Sequence, residues 1–329
     1  MNKTMPVCVL ATLFFGLVGF AVLANDSAAK ISAGGIVLEK TDKVAMLSED
    51  IYLSKDLVKV RYVYQNITSE PVELTIAFPL PRVKAEDVYE TYPEHYDKVR
   101  FIDFQTMIDG KAIDAREIIN IRAQDGRNVT SLFKEKGWPL APFDQLWSFD
   151  LDNQFDNIKM IAITDDLRQA GLLIDDPNGY QKRLWSTEIY YVWQHTFEPG
   201  REVVVDHQYV PIAGGHFFIG DYTSDGWSYK SEFQKTYCAS EGEWNALERI
   251  AAQSPTPLVS EVGYILKTGG NWAGPIKNFK LTLDKSSPKN IITLCWDGKL
   301  TKTAPTQFVF EAQDFVPSQD IVFAVTQAQ

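Results

Sequence analysis

A mainly β fold of the α+β class, an antiparallel β-sandwich carrying a helical insertion, is the architecture that this 329-residue sequence predicts. Two features point to it. Short runs in which apolar and polar residues alternate recur along most of the chain, separated by clusters of Gly, Pro, Asp and Ser. Between residues 125 and 183 that alternation gives way to helical spacing.

In chain order, residues 1–24 read as a secretory signal peptide. Lys3 is the one charge, an apolar run follows from Met5 to Leu23, and Val22-Leu23-Ala24 supplies the small residues at which a signal peptidase cuts before Asn25. The competing reading is an uncleaved anchor, because the run approaches the roughly 20 residues that span a bilayer. No second run of that length follows, so no membrane span is expected after cleavage.

Residues 25–124 form an N-terminal β region. Strands are expected over 44–53, 57–64 and 72–78, where Lys59, Arg61 and Gln65 alternate with Val58, Val60, Tyr62 and Tyr64, the period of a strand with one wet face. Phe78-Pro79-Leu80-Pro81 ends the run, since proline cannot donate to a ladder. A hairpin over 99–108 and 112–122 turns on Asp109-Gly110. The insertion, 125–183, holds two expected helices: 129–136 behind an Asn128 cap, and 165–170 stopping at Gly171. Return strands over 187–197 and 202–210 follow within 184–237, whose Gly-, Asp- and aromatic-rich end from 213 to 230 reads as a long surface loop. The last region, 238–329, opens on the capping box Ser240-Glu241-Gly242-Glu243 and a helix with the stripe Trp244, Leu247, Ala251. It continues as strands over 259–267, 276–283, 291–296, 307–310 and 321–325.

Lys and Arg number 32 against 43 Asp and Glu, a net charge of −11, which argues against general affinity for nucleic acid or anionic lipid. Four His and three Cys leave little material for a metal cluster, and no cofactor is expected. Cys8 would leave with the signal. Cys238 and Cys295 then remain as an even pair that reads as one disulfide in an oxidising compartment, with two buried thiols as the alternative.

Several segments together resemble the domain-of-unknown-function 4424 family of exported bacterial proteins. They are Asn25-Asp26-Ser27, Gly34 to Leu38, Ser48-Glu49-Asp50, Ala77 to Pro81, Trp193, Phe197, Tyr209, the run from Thr268 to Ile276, Asp284-Lys285 and Cys295. The resemblance spans the mature chain; it implies a periplasmic or secreted location and supplies no activity. The stretches 58–81 and 104–111 are also similar to the β-sandwich domain of inter-alpha-trypsin inhibitor heavy chains and vault proteins, in which an Asn-x-Ser/Thr turn likewise precedes a Phe-Pro-Leu-Pro ending.

For a ligand, the loop Asn271-Trp272-Ala273-Gly274-Pro275 offers an amide beside a flat indole, the pairing that stacks and hydrogen-bonds a sugar or peptide. The alternative is a structural turn with Trp272 as a core plug. Tyr222 and Trp227, with Tyr229, Asp221 and Asp225, form a second aromatic and acidic group that reads as a carbohydrate platform or a calcium loop, though without calcium-loop spacing, with a long surface loop as the alternative. His195, His207 and His216 match no zinc motif, and Asp206 and His207 should face opposite sides of a strand. No pair of carboxylates is singled out for glycoside hydrolysis, and no nucleophile elbow, metalloprotease helix or phosphate loop is present. The expected function is therefore an exported, non-catalytic binding or envelope-associated module whose partner is an envelope glycan, peptide or protein. The alternative is a hydrolase acting on envelope carbohydrate or peptide.

Overall fold

A computed structural model describes residues 25–32, 35–86, 102–142, 144, 157–176, 181–224, 227–253 and 257–328. The expected signal segment lies outside them. The first part of the chain runs through β1 (Ser27–Ser32), β2 (Gly35–Glu39), β3 (Val44–Leu53), β4 (Val58–Asn66), β5 (Val72–Pro79), β6 (Val83–Lys84), β7 (Gln105–Ile108), β8 (Lys111–Ile113) and β9 (Arg116–Ala123). The insertion contributes α1 (Thr130–Lys136), α2 (Asn157–Gln169) and the small hairpin of β10 (Leu173–Asp175) with β11 (Gln181–Arg183). Then come β12 (Trp185–Phe197), β13 (Glu202–Tyr209), β14 (Ala213–Phe217), β15 (Thr223–Ser224), β16 (Trp227–Ser228), α3 (Tyr229–Tyr237) and α4 (Glu241–Ala251). The chain closes with β17 (Leu258–Tyr264), a 3-10 turn (Lys267–Asn271), β18 (Ile276–Asp284), β19 (Ile291–Leu294), β20 (Thr301–Lys302), β21 (Gln307–Phe315) and β22 (Ile321–Thr326).

Three sheets share one core. The largest has the order β20-β21-β18-β3-β4-β13-β7-β8. A second has the order β2-β1-β5-β12, with β6 and β9 also on β12, and a third the order β14-β17-β22-β19. All pairings are antiparallel except β3 with β18, which run parallel in the register Ile51↔Leu281. That pairing joins strands from both ends of the chain into a single sheet. Inward residues of the eight-stranded sheet, among them Val60, Tyr62, Val205 and Leu281, pack on Ile76, Phe78 and Trp193 of the second sheet and on Val262, Tyr264 and Phe323 of the third.

The alternation expected for β4 is present: Val58, Val60, Tyr62 and Tyr64 are buried, and Lys59 and Arg61 are exposed. Asp109 and Gly110 both take positive φ, 48° and 75°, as a two-residue hairpin turn requires. The hairpin is shorter than expected, because residues 111–123 divide into β8, on the first sheet, and β9, on the second. Residues 99–101 of the expected strand lie outside the described residues.

In the insertion, α1 ends on Gly137 in the left-handed conformation. Asn128 stands one residue ahead of the backbone cap, yet its Oδ1 accepts the Thr130 N–H at 3.0 Å. α2 is longer than expected and begins at Asn157. Phe133, Trp138, Leu167 and Leu172 pack around Trp185 of β12, forming a second core. The Ser240–Glu243 capping box is present, and Trp244 and Leu247 of α4 join Phe233 and Tyr237 of α3 against the far face of the third sheet. The stretch expected as a long surface loop instead contains β14, β15, β16 and the start of α3, which is capped by the Ser228 hydroxyl accepting the Ser231 N–H. Among the described residues no helix is long and apolar enough to cross a membrane.

Candidate functional site

Asn25, Asp26 and Ser27 lead into β1 and are fully buried, against the usual habit of polar residues. Their partners come from the 3-10 turn and the residue after it. The Thr268 hydroxyl donates to the Asn25 carbonyl at 2.7 Å, the Asn271 amide to the Ser27 hydroxyl at 2.9 Å, and the Trp272 indole N–H to the Asp26 carbonyl at 2.8 Å. The turn is fixed in its own place by Asp320, whose Oδ1 accepts the Leu266 and Lys267 N–H groups, both at 3.0 Å.

Trp272 is 3% exposed, with its ring 4.4 Å from that of Tyr64 and edge-on to Phe197. Trp272 is therefore the core plug of the structural-turn reading, its indole spent on Tyr64 and its N–H on the chain's own backbone. Gly269 permits the close approach. A Cβ there would stand 2.8 Å from Asn25 Nδ2 and 3.2 Å from Ile276 Cδ1. Gly269→Ala is expected to lower stability by about 1–3 kcal/mol through this overpacking. An unchanged urea midpoint would show that Asn25 does not occupy that position.

The clamp sits over a buried polar cluster. Asp26 Oδ2 accepts the Tyr64 hydroxyl at 3.1 Å, and Oδ1 lies 3.0 Å from His207 Nε2. On the other side of the imidazole, Nδ1 is 3.1 Å from the Thr106 hydroxyl. Phe78, Phe104 and Trp193 enclose the ring at centroid distances of 5.0, 5.1 and 5.2 Å. This is a hydroxyl–imidazole–carboxylate chain, but Thr106, His207 and Asp26 are all buried, so it holds the core in register and offers no nucleophile to a substrate. Glu49 Oε1 accepts the Asn25 amide at 2.7 Å. Burial pushes the Glu49 carboxyl well above the usual carboxylate range; the Asn25 bond opposes this and the Asp26 charge adds to it.

The other expected residues are dispersed. Tyr222 is exposed, and Trp227 pairs through its backbone with Ser224. Cys238 and Cys295 are bonded, with Cα atoms 4.9 Å apart, tying the end of α3 to the residue after β19. His195, His207 and His216 fall on β12, β13 and β14, one in each of the three sheets. Asp206 and His207 do face opposite sides of β13: Asp206 turns outward to Arg61 and His207 inward to Asp26.

Sequence reasoning missed the outward face of the eight-stranded sheet. Two adjoining depressions of about 530 and 290 Å³ share Asp50 and Arg61 and form one trough. Lys280, Asn278 and Glu311 border one part, and Lys59, Asp206 and Tyr52 the other. Arg61 forks Asp206 with Nε–Oδ1 2.8 Å and Nη2–Oδ2 3.2 Å, and Lys280 stands 3.6 Å from Asp50. The alternating outward row of β4, Lys59 and Arg61, was the available signal.

The sequence profile described as a domain of unknown function, DUF4424, matches residues 24–323. The chain belongs to the DUF4424 family. No curated protein matches its sequence. Among solved structures, this DUF4424 chain is similar to a "putative nutrient binding protein" from Legionella pneumophila subsp. pneumophila str. Philadelphia 1. That likeness has 13% identity and a TM-score of 0.40, covering 93% of this chain and 72% of the other. A mutant two-domain M1 zinc metallopeptidase bound to L-tryptophan shows 8% identity and a TM-score of 0.27, covering 87% and 44%. At these scores neither likeness bears on the ligand. In the DUF4424 chain, segments that carry the family resemblance meet at one place: Asn25-Asp26-Ser27, Glu49 and Thr268 to Trp272 bond one another, and Phe78 and Trp193 close over His207.

Proposed function

We propose that this DUF4424 chain is an exported, non-catalytic module that binds a mixed-charge peptide or peptide-bearing glycan of the cell envelope along the outer face of its eight-stranded sheet. The trough carries this reading. Cations at Lys59, Arg61 and Lys280 are interleaved with anions at Asp50, Asp206 and Glu311, which suits a ligand bearing both amine and carboxylate groups better than a uniformly anionic polymer. Export is supported by the order of charge, apolar run and small residues in the first 24 positions. The Cys238–Cys295 bond agrees with an oxidising compartment.

A hydrolase has less support. Both Asp206 oxygens are taken up by the Arg61 fork, and Glu49, whose carboxyl burial pushes up, lies inside the core. Calorimetric titration of the mature protein with a stem tetrapeptide and its muropeptide tests the reading. Arg61→Glu is expected to weaken binding about tenfold or more, the worth of one charge-assisted hydrogen bond. Its stability should change little, because exposed ion pairs contribute little. Equal affinity of the variant and its parent for these ligands would remove the trough from the function.

A further inference from the structure

Two carboxylates, Asp26 and Glu49, are buried together, and among the described residues the one base bonded to either is His207, which sits on Asp26. Even protonated, the imidazole supplies a single positive charge to the pair. Glu49 is 1% exposed; its Oε1 takes the Asn25 amide, while Oε2 has no partner among the described residues, and neither has Asn25 Oδ1. A buried carboxylate oxygen without a partner is costly unless a cation or a proton satisfies it. The upward push on the Glu49 carboxyl expresses the same deficit.

Signal removal would create a cation beside this pair. An asparagine's backbone nitrogen lies roughly 3–5 Å from its own side-chain nitrogen by bond geometry. Glu49 Oε1 accepts the Asn25 side-chain amide at 2.7 Å, which places the Asn25 backbone nitrogen within roughly 8 Å of that carboxylate. We propose that Asn25 is the mature amino terminus and that its α-ammonium group is the counter-ion of Glu49, forming an internal ion pair that exists only in the processed chain. This rests on the exported reading above.

The step is a peptide hydrolysis carried out by a signal peptidase with water as co-reactant. The Ala24–Asn25 C–N bond breaks, the water's hydroxyl goes to the Ala24 carbonyl carbon and its hydrogen to the Asn25 nitrogen, which takes one more proton from solvent. Asn25 is fully buried once the chain is folded, so the cut precedes docking of the segment beneath Thr268 and Trp272. The ion pair then completes the charge balance that the clamp encloses.

Three measurements on the protein recovered from the envelope, and on the same chain made with Ala24 retained ahead of Asn25, test the proposal. Intact mass should place the processed terminus at Asn25. The native α-amine should react with a reductive-methylation reagent at least about tenfold more slowly than in the denatured protein, as expected for a group released only by opening of the fold. Glu49→Gln should lower Tm by roughly 10 °C in the processed protein and shift it by less than about 2 °C in the Ala24-extended one. A mass that retains residues 1–24 would overturn the exported reading and the ion pair together. A terminus at Asn25 whose amine is modified equally fast in native and denatured protein would overturn the ion pair alone, as would equal Tm losses in the two forms. Should the variant fail to fold, the labelling rates of the unmutated protein still decide.

Discussion

Trp272→Ala is expected to destabilise the folded chain by about 3–5 kcal/mol, the usual cost of removing a large buried aromatic ring. Three losses contribute. The cavity left behind faces Tyr64, whose ring sits 4.4 Å away and is itself fully buried. The Asp26 carbonyl loses its indole donor and, being buried, has no water to replace it. Without that donor the segment 25–27 loses one of the three bonds that Thr268, Asn271 and Trp272 give it. Urea unfolding followed by circular dichroism, with m-values compared, gives the measurement. Trp272→Phe should recover part of the loss by filling the space without restoring the hydrogen bond. A Trp272→Ala chain within about 1 kcal/mol of its parent, below the usual cost of such a cavity, would show that the indole is no plug.

Cys238→Ser is expected to cost about 2–5 kcal/mol. The bond closes a loop of 57 residues, for which the chain-entropy relation gives about 4 kcal/mol. Both anchoring positions are well held. Cys238 ends α3 in the left-handed conformation, and the Cys295 carbonyl accepts the Gln319 amide at 2.8 Å. α3 and α4 bury Phe233, Tyr237, Trp244 and Leu247 against the third sheet, so loosening them should also raise amide exchange in β17 and β22. Two free thiols titrating in denatured, unreduced protein would refute the crosslink.

Local chemistry made much of this fold legible. Alternation in β4, the Asp109-Gly110 turn, the Gly137 stop and the Ser240–Glu243 box each encode a backbone conformation within a few residues, and each is present. α3 escaped notice because its Ser228 cap and its Phe233 and Tyr237 spacing follow directly on a glycine- and aspartate-rich stretch that reads as turn. The start of α2 was hidden because the run from Met160 to Ile163 is too uniformly apolar to show a helical period. The candidate loop was recognised by its residues, which fit a recognition surface and a core plug equally. An Asn and a Trp flanked by glycines advertise a recognition surface, but nothing local to Thr268 or Trp272 says that the surface recognised is Asn25-Asp26-Ser27 of the same chain. The trough was invisible for a related reason: it needs strands from both ends of the sequence laid side by side.

The parallel pairing of β3 with β18 also sets a timetable for biogenesis. Tyr52 and Asp284 meet at 3.0 Å although 232 positions separate them. At a synthesis rate of roughly 5–20 residues per second, β3 is complete some 10–50 s before its partner exists. Throughout that interval one side of β3 is an unpaired strand edge with Ile51 and Leu53 behind it, a template for pairing with the wrong chain. The eight-stranded sheet therefore stays open on that side of β3 until residues 276–284 have been made.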